Sequence, residues 1–417
     1  MAEEKVESIS EKIERLNREQ QKIREEREAR ERRAKEKPLW KRILAICLSV
    51  VVGLGVIVGC YFAYLQMSYE RTMDKKALEV FSSPVDKYVT VGSSYKAITY
   101  DLASGMFSPS FSSAFFKSTN ADGKEVKGSS VKAASASDVE ANLNGAINLV
   151  SSASYENTDF YFFQEVDVNS ARSRNVDELA ILQDSFKLYG AIMAQNYHTS
   201  FLFKPLFSPV GKINSGIATF TKYSLDTWLP ERRKVPTETK LAGKYSRMDT
   251  CFTITRLKVR KVSGKPDDLV LVNVHFDETD DDELKASQLQ VLYDYLTQEY
   301  TKNGSYVIVG GNFGSALATV NAESGAASAS IGGVTSNFNA TSLAKIGFSF
   351  AVDTIGAFNG VGTYREQGRS YVRGESAEAV VDGFLVSANV GVIRVETINS
   401  GYAYSSHNPV CLEFVLN

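Results

Sequence analysis

The chain has 417 residues, of which 43% are hydrophobic and 23% charged, with a formal net charge of −2. These are globular proportions, and they exclude a disordered or collagen-like chain. Four cysteines are too few for a disulfide framework, and the near-zero charge excludes a protein built to coat nucleic acid.

The average conceals a strong asymmetry along the chain. Residues 1–42 carry 14 Lys/Arg and 11 Asp/Glu, a local net of +3. Within them Val6, Ile9, Ile13, Leu16, Gln20 and Ile23 fall on one seam of a helix. The seam covers about three heptads before running into Arg27 and Arg30, so it predicts a charged helical stem with at most weak self-association. Residues 43–65 then run without a charge and are rich in Val, Ile, Leu and Gly. A helix of this length spans a hydrocarbon core of about 30 Å. A cleaved signal peptide fits less well, because the stem is too long and too acidic. Nine Lys/Arg lie in residues 23–42 against three in 66–85, which predicts a cytoplasmic N-terminus and an external C-terminal domain. A single-pass protein of the plasma membrane is the expected layout. The remainder, 66–417, carries a net of −5, so a nucleic-acid partner is not expected.

Residues 66–94 are expected to form a stalk, helical over 66–90, and 95–417 a large external domain. Residues 118–137 read as a polar loop, and Asp138 is expected to cap a helix carrying Leu143, Ile147 and Val150. Short apolar runs at 160–163, 216–220, 251–259, 269–274, 306–309, 379–386 and 409–415 predict strands. Residues 284–300 predict a helix with Leu289, Leu292, Tyr293 and Leu296 on one face. Residues 315–345 are Ala/Ser/Gly/Asn-rich and read as a long surface loop. Many short strands with few helices predict a layered α/β sandwich. Cys251 and Cys411, inside predicted strands, are expected to be buried free thiols. Arg172 and Arg174, near Glu165, either serve an anionic ligand or are solvated loop charges, and the second reading is preferred.

Several polar residues end these strands: Glu165, Asn273, His275, Asn312, Asp382 and His407. Two of the chain's three histidines are among them, and strand ends are where layered α/β proteins gather ligands. In chain order the motifs are Ile-Thr-Tyr-Asp at 98–101, Gln-Glu-Val-Asp at 164–167, Asn-Ser-Gly-Ile at 214–217 and Asn-Val-His-Phe at 273–276. Gly-Gly-Asn-Phe-Gly at 310–314, Val-Asp-Gly-Phe at 381–384 and Ser-Ser-His-Asn-Pro-Val at 405–410 follow.

That succession resembles the endonuclease/exonuclease/phosphatase superfamily, the deoxyribonuclease I-like fold, over roughly 95–417. The resemblance implies a four-layer sandwich of two mixed sheets flanked by helices. It also implies Mg²⁺-assisted attack of water on a phosphoester. Glu165 then stands at the principal metal ligand, Asn273 at a phosphate-binding group and His275 at a positioning group. Asp382 and His407 stand at a catalytic Asp–His pair.

Three positions depart from the family pattern. Asn312 replaces the Asp that orients or deprotonates water, and an amide is not basic. Gly314 replaces an Asn that binds phosphate, and Ser406 replaces a second carboxylate near the metal. Thr250 further stands where an Arg is usual. Loss of a general base alone costs about 10²–10⁴ in rate. Against these losses, Asp101 adds a carboxylate that, with Glu165, is the pair left to hold Mg²⁺. The expected protein is therefore an anchored pseudo-phosphoesterase binding a protein or phosphorylated envelope ligand. The alternative is an active Mg²⁺-dependent phosphodiesterase or phosphatase with a site rebuilt on Asp101, Glu165, Asp382 and His407.

Overall fold

A computed structural model describes residues 9–35, 38–120, 122–225, 228–237, 244–246, 248–276, 281–321, 331, 334 and 338–417. The chain divides into two compact units, Met1–Met67 and Ser68–Asn417.

The first unit holds helices α1 (Ile9–Lys35) and α2 (Leu39–Met67). In α1 the apolar seam from Ile9 through Ile13, Leu16 and Ile23 is exposed, while Val6 lies outside the described residues. The charged face is laced by one-turn pairs, Arg18–Glu14 at 3.1 Å and Arg32–Glu28 at 3.7 Å. Pro38 precedes α2 and its carbonyl accepts from the Lys41 amide, which starts the helix without needing a proline N–H. The 29 residues of α2 rise about 43 Å. Among the described residues this is the one helix long and apolar enough to cross a membrane.

The second unit is built on two seven-stranded mixed sheets. One runs in spatial order β1 (Lys76–Ala77), β9 (Glu231–Lys234), β10 (Cys251–Lys258), β11 (Asp268–His275), β12 (Tyr306–Asn312), β16 (Asp382–Ser387) and β13 (Phe348–Ala351). The other runs β17 (Val390–Thr397), β18 (Val410–Leu416), β3 (Ser94–Asp101), β6 (Phe160–Asp167), β8 (Gly211–Thr221), β7 (Gly190–Leu202) and β2 (Val80–Ser82). Two small ribbons, β4 (Lys117–Thr119) with β5 (Glu125–Lys127) and β14 (Tyr364–Arg365) with β15 (Glu378–Ala379), lie outside them.

The layering follows from alternation along each strand. In β6, Phe160 and Phe162 enter the core between the sheets with Ile217, Leu271, Ile308, Phe384 and Leu412. Tyr161 and Phe163 point the other way, onto Leu143, Ile147 and Val150 of α3 (Ala136–Val150). On the outer face of the first sheet, Val270, Val272, Val307 and Val309 pack against Leu289, Leu292 and Leu296 of the helix Asp282–Thr297. Each fully buried side chain of this size contributes about 1.5–3 kcal/mol. The α/β sandwich is as the strand pattern implied.

Five expectations need correction, the first being that 118–137 form a loop, since β4 and β5 pair there. Residues 68–90 are not a helical stalk: Leu78 and Val89 are buried, and β1 and β2 pair with β9 and β7 at the edges of the two sheets. The cap of α3 is Ser135, whose Oγ accepts from the Asp138 amide at 3.1 Å, so the helix starts earlier than Asp138. Within 315–345 a short helix, Ala340–Lys345, is present, while 322–330, 332–333 and 335–337 lie outside the described residues. Arg172 is not solvated but buried, as described below. Cys251 and Cys411 are buried free thiols, and burial pushes both up to about 12.

Candidate functional site

The ends of five strands converge on one cavity of about 430 Å³. Two parallel pairs, β11 with β12 and β3 with β6, put their C-terminal ends on the same side. Register does the rest. His275 lies opposite Asn312, Asn312 opposite Asp382, and Asp101 opposite Gln164, the residue before Glu165. Asp101, Glu165, His275, Asn312, Ser406 and His407 all line the cavity.

Asp101 is its centre. Its Oδ1 accepts the Ala103 amide at 2.9 Å and its Oδ2 the Asn312 side-chain amide at 3.2 Å. The same Oδ2 lies 3.6 Å from His275 Nε2 and 3.9 Å from His407 Nε2. Burial pushes its carboxyl upward, but His407, His275 and the two amides together outweigh burial and hold it below the ordinary value. His407 Nδ1 meets Asp382 Oδ2 at 2.7 Å, and its ring lies against Tyr364, centroids 4.7 Å apart. The carboxylate thus fixes the imidazole with Nε2 turned toward the cavity. Burial pushes the Asp382 carboxyl up, and the neighbouring His407 only partly offsets this.

Glu165 is held differently. It sits at φ +49, in the left-handed region, at an irregularity of the β6–β8 ladder between Phe163 and Val166. That conformation costs a non-glycine residue about 1–2 kcal/mol, and strain of this kind gathers at functional sites. Its Oε2 accepts from Ser104 Oγ at 3.1 Å and lies 3.7 Å from Arg172 Nη1. Arg172 is clamped by Asp167 through two bonds, 3.0 and 2.9 Å, and reaches Ser215 Oγ at 3.2 Å. Its ring neighbour is Tyr197, 5.6 Å from the guanidinium carbon. Burial would lower the guanidinium pKa, but the charges of Asp167 and Glu165 raise it instead. Behind them Glu178 is fully buried, its Oε2 accepting the Asp167 amide at 2.9 Å. Burial and then the Asp167 charge push its carboxyl well above the usual range.

The positions at which the sequence departs from the resemblance make local hydrogen bonds. Asn312 Oδ1 accepts the Gly314 amide at 2.8 Å, and Gly314 sits at φ +59, where glycine is at ease. Ser406 Oγ accepts from Gln367 Nε2 at 3.1 Å. Asp249, the middle residue of Met248-Asp249-Thr250, accepts from buried Arg232 at 2.8 Å. Asn273 does not line the cavity. Its Nδ2 donates toward the Phe163 and Ala218 carbonyls and Thr219 Oγ1, and its Oδ1 accepts from Gln164. It ties the two sheets together, and the phosphate-binding role the resemblance implies has no geometric support.

A resident Mg²⁺ requires hard oxygen ligands free to face it. Here Asp101 Oδ2 faces an amide N–H and two imidazole nitrogens, and Glu165 faces a guanidinium. Among the described residues no three His, Cys, Asp or Glu side chains are grouped to hold a metal ion. The donor set, as arranged, does not fit a resident divalent cation. What remains is a fixed imidazole, a second imidazole, an amide donor and a clamped guanidinium around two carboxylates. Phe107, Phe111, Phe115 and Phe116 make an apolar wall. The sequence signals for Arg172 and for this wall were present, in Asp167 five residues earlier and in the run of phenylalanines at 107–116.

No family model and no curated protein matches the chain. Solved structures do resemble it. An endonuclease/exonuclease/phosphatase from Beutenbergia cavernae is 12% identical, with 78% of this chain and 72% of that chain covered and a TM-score of 0.48. A family protein of the same description from Bacteroides thetaiotaomicron is 13% identical, covering 78% and 98%, with a TM-score of 0.46. The catalytic domain of human Nocturnin with a bound sulfate anion is 12% identical, covering 78% and 95%, with a TM-score of 0.43. Identities at this level bear on the fold alone.

Proposed function

We propose that this is a membrane-anchored protein whose external domain has a phosphoesterase-like fold but binds its ligand rather than hydrolysing it. The observation that carries this reading is the Asn312 amide, donating at 3.2 Å to Asp101 where the resemblance places a general base. An amide donor neither takes a proton from water nor leaves Asp101 Oδ2 open to a cation. In this reading α2 spans the plasma membrane with the charged stem α1 inside and the domain outside, an orientation supported by the nine Lys/Arg of residues 23–42 against three in 66–85. The ligand is a protein or a phosphorylated envelope component; weak pairing through α1 and α2 is part of the same reading.

One observation favours the other reading. The Asp382–His407 pair at 2.7 Å is intact, and His407 Nε2 faces the same cavity as Asp101 and Glu165. The purified full chain, assayed with Mg²⁺ or Mn²⁺ on aryl phosphodiesters, nucleic acid and phospholipids, separates the two. Absence of turnover, restored by Asn312→Asp combined with Gly314→Asn and Ser406→Asp, is the expected result. Turnover in the parent chain that Glu165→Ala abolishes would establish an active enzyme.

A further inference from the structure

We propose that the tip of the β7–β8 hairpin, residues 203–209, beds in the lipid interface. The inference rests on the reading of α2 as a membrane span. Three large apolar side chains lie exposed within five residues of the tip: Phe203 at 46%, Leu206 at 60% and Phe207 at 97%. Single exposed hydrophobics are ordinary on a protein surface, but a cluster on a projecting loop marks an interaction site. The tip sequence Phe-Lys-Pro-Leu-Phe-Ser-Pro contains no acidic residue, and its basic neighbours Lys204 and Lys212 are exposed. Apolar wedge and flanking lysines together fit an anionic bilayer surface rather than an aqueous partner.

The position of the hairpin selects the occupant. Ser200 Oγ, at the base of the tip, donates to the Ser68 carbonyl at 3.4 Å. Ser68 is the residue immediately after Met67, the last of α2. The base of the hairpin therefore lies beside the residue that follows the apolar helix in the sequence. The surroundings of that residue have the composition of a membrane interface. The Tyr69 and Tyr245 rings meet edge to face at 5.4 Å, and Lys244 Nζ lies 4.6 and 5.2 Å from their centroids. Amphipathic rings and long basic chains gather at headgroup level. Leu202, Lys204 and Val210 of the same hairpin also line the cavity, so an embedded tip holds one cavity wall at the lipid surface.

The test uses the full chain reconstituted in phosphatidylcholine/phosphatidylglycerol vesicles, with Trp40→Phe and Trp228→Phe as background. Phe207→Trp is compared with Leu188→Trp, an 82% exposed position just before β7, about 40 Å away at the strand's other end. With headgroup-nitroxide lipid, the Phe207→Trp variant is expected to lose roughly half its emission while Leu188→Trp keeps its own. Protein that resists alkaline extraction but shows no quenching in the Phe207→Trp variant overturns the hairpin proposal alone. Release of the chain by alkaline extraction overturns the reading of α2 as a span, and the proposal with it.

Discussion

The two sides of the cavity floor hold their charges by different means. On the Asp101 side, Asp382 Oδ2 meets His407 Nδ1 at 2.7 Å, and Asp101 Oδ2 lies 3.6 and 3.9 Å from the His275 and His407 Nε2 atoms. On the Glu165 side, a strained backbone turns the carboxylate out, and balance comes from Arg172, a loop residue locked by Asp167. The first arrangement is delivered by register, since neighbouring strands of a sheet must present His275, Asn312 and Asp382 side by side. The second depends on one buried ion pair. A site with this construction is rigid on one side and hangs on a single clamp on the other.

Removing the clamp is the largest expected effect. Asp167→Ala leaves the buried Arg172 guanidinium without its bidentate partner, and breaking a buried pair from one end costs about 3–5 kcal/mol. Denaturant unfolding of the full chain measures it. A loss below about 1 kcal/mol would show that Glu165 alone suffices to hold Arg172, and the contrast between the two sides would disappear. The next effect sharpens the rigid side. Asn312→Asp sets a second carboxylate about 3 Å from Asp101, where both cannot ionise together. The variant is expected to lose about 2 kcal/mol at neutral pH and to recover stability, as a rise in Tm, when Mg²⁺ or Mn²⁺ is added. The parent chain is expected to show no such rise. If it does, Asp101 and Glu165 accept a cation despite their present partners.

The difference between the two sides also explains what the sequence made legible. Strand-end polar residues announce themselves, because the apolar run stops at them, and Asp101, His275, Asn312, Asp382 and His407 do converge. The sandwich itself was readable from alternation, as in β6, where Phe160 and Phe162 face one layer and Tyr161 and Phe163 the other. Asn273 shows the limit: its spacing from His275 is that of one strand face, yet its amide is spent between the sheets. Arg172 shows the opposite error, since a charge in a loop reads as solvated until its partner is seen to be Asp167. The residues after Met67 misled for a third reason. Their short runs lack a clear period, and only pairing with β7 and β9 makes them strands.

The smallest expected effect concerns Glu178, which stands behind the clamp. Its Oε1 is buried without a hydrogen-bond partner, and burial followed by the Asp167 charge raises its carboxyl well above 4.5. The folded chain therefore keeps a proton that the unfolded chain has already released. In that window the unfolded state binds fewer protons than the native state, so stability falls as pH rises from about 4.5 toward the raised value. The slope is about 1.4 kcal/mol per pH unit for one group. Asp382, also raised, adds a fall of the same sign, whereas Asp101, lowered, contributes stability that is full above its unfolded value and is lost only as pH falls below it. Glu178→Gln carries no proton to release, so its unfolding free energy should fall less steeply than the parent's over this window. The two profiles should meet at the acid end and separate upward. Parallel profiles would mean that Glu178 is ionised in the folded chain, and then Arg172 must be balancing three carboxylates rather than two.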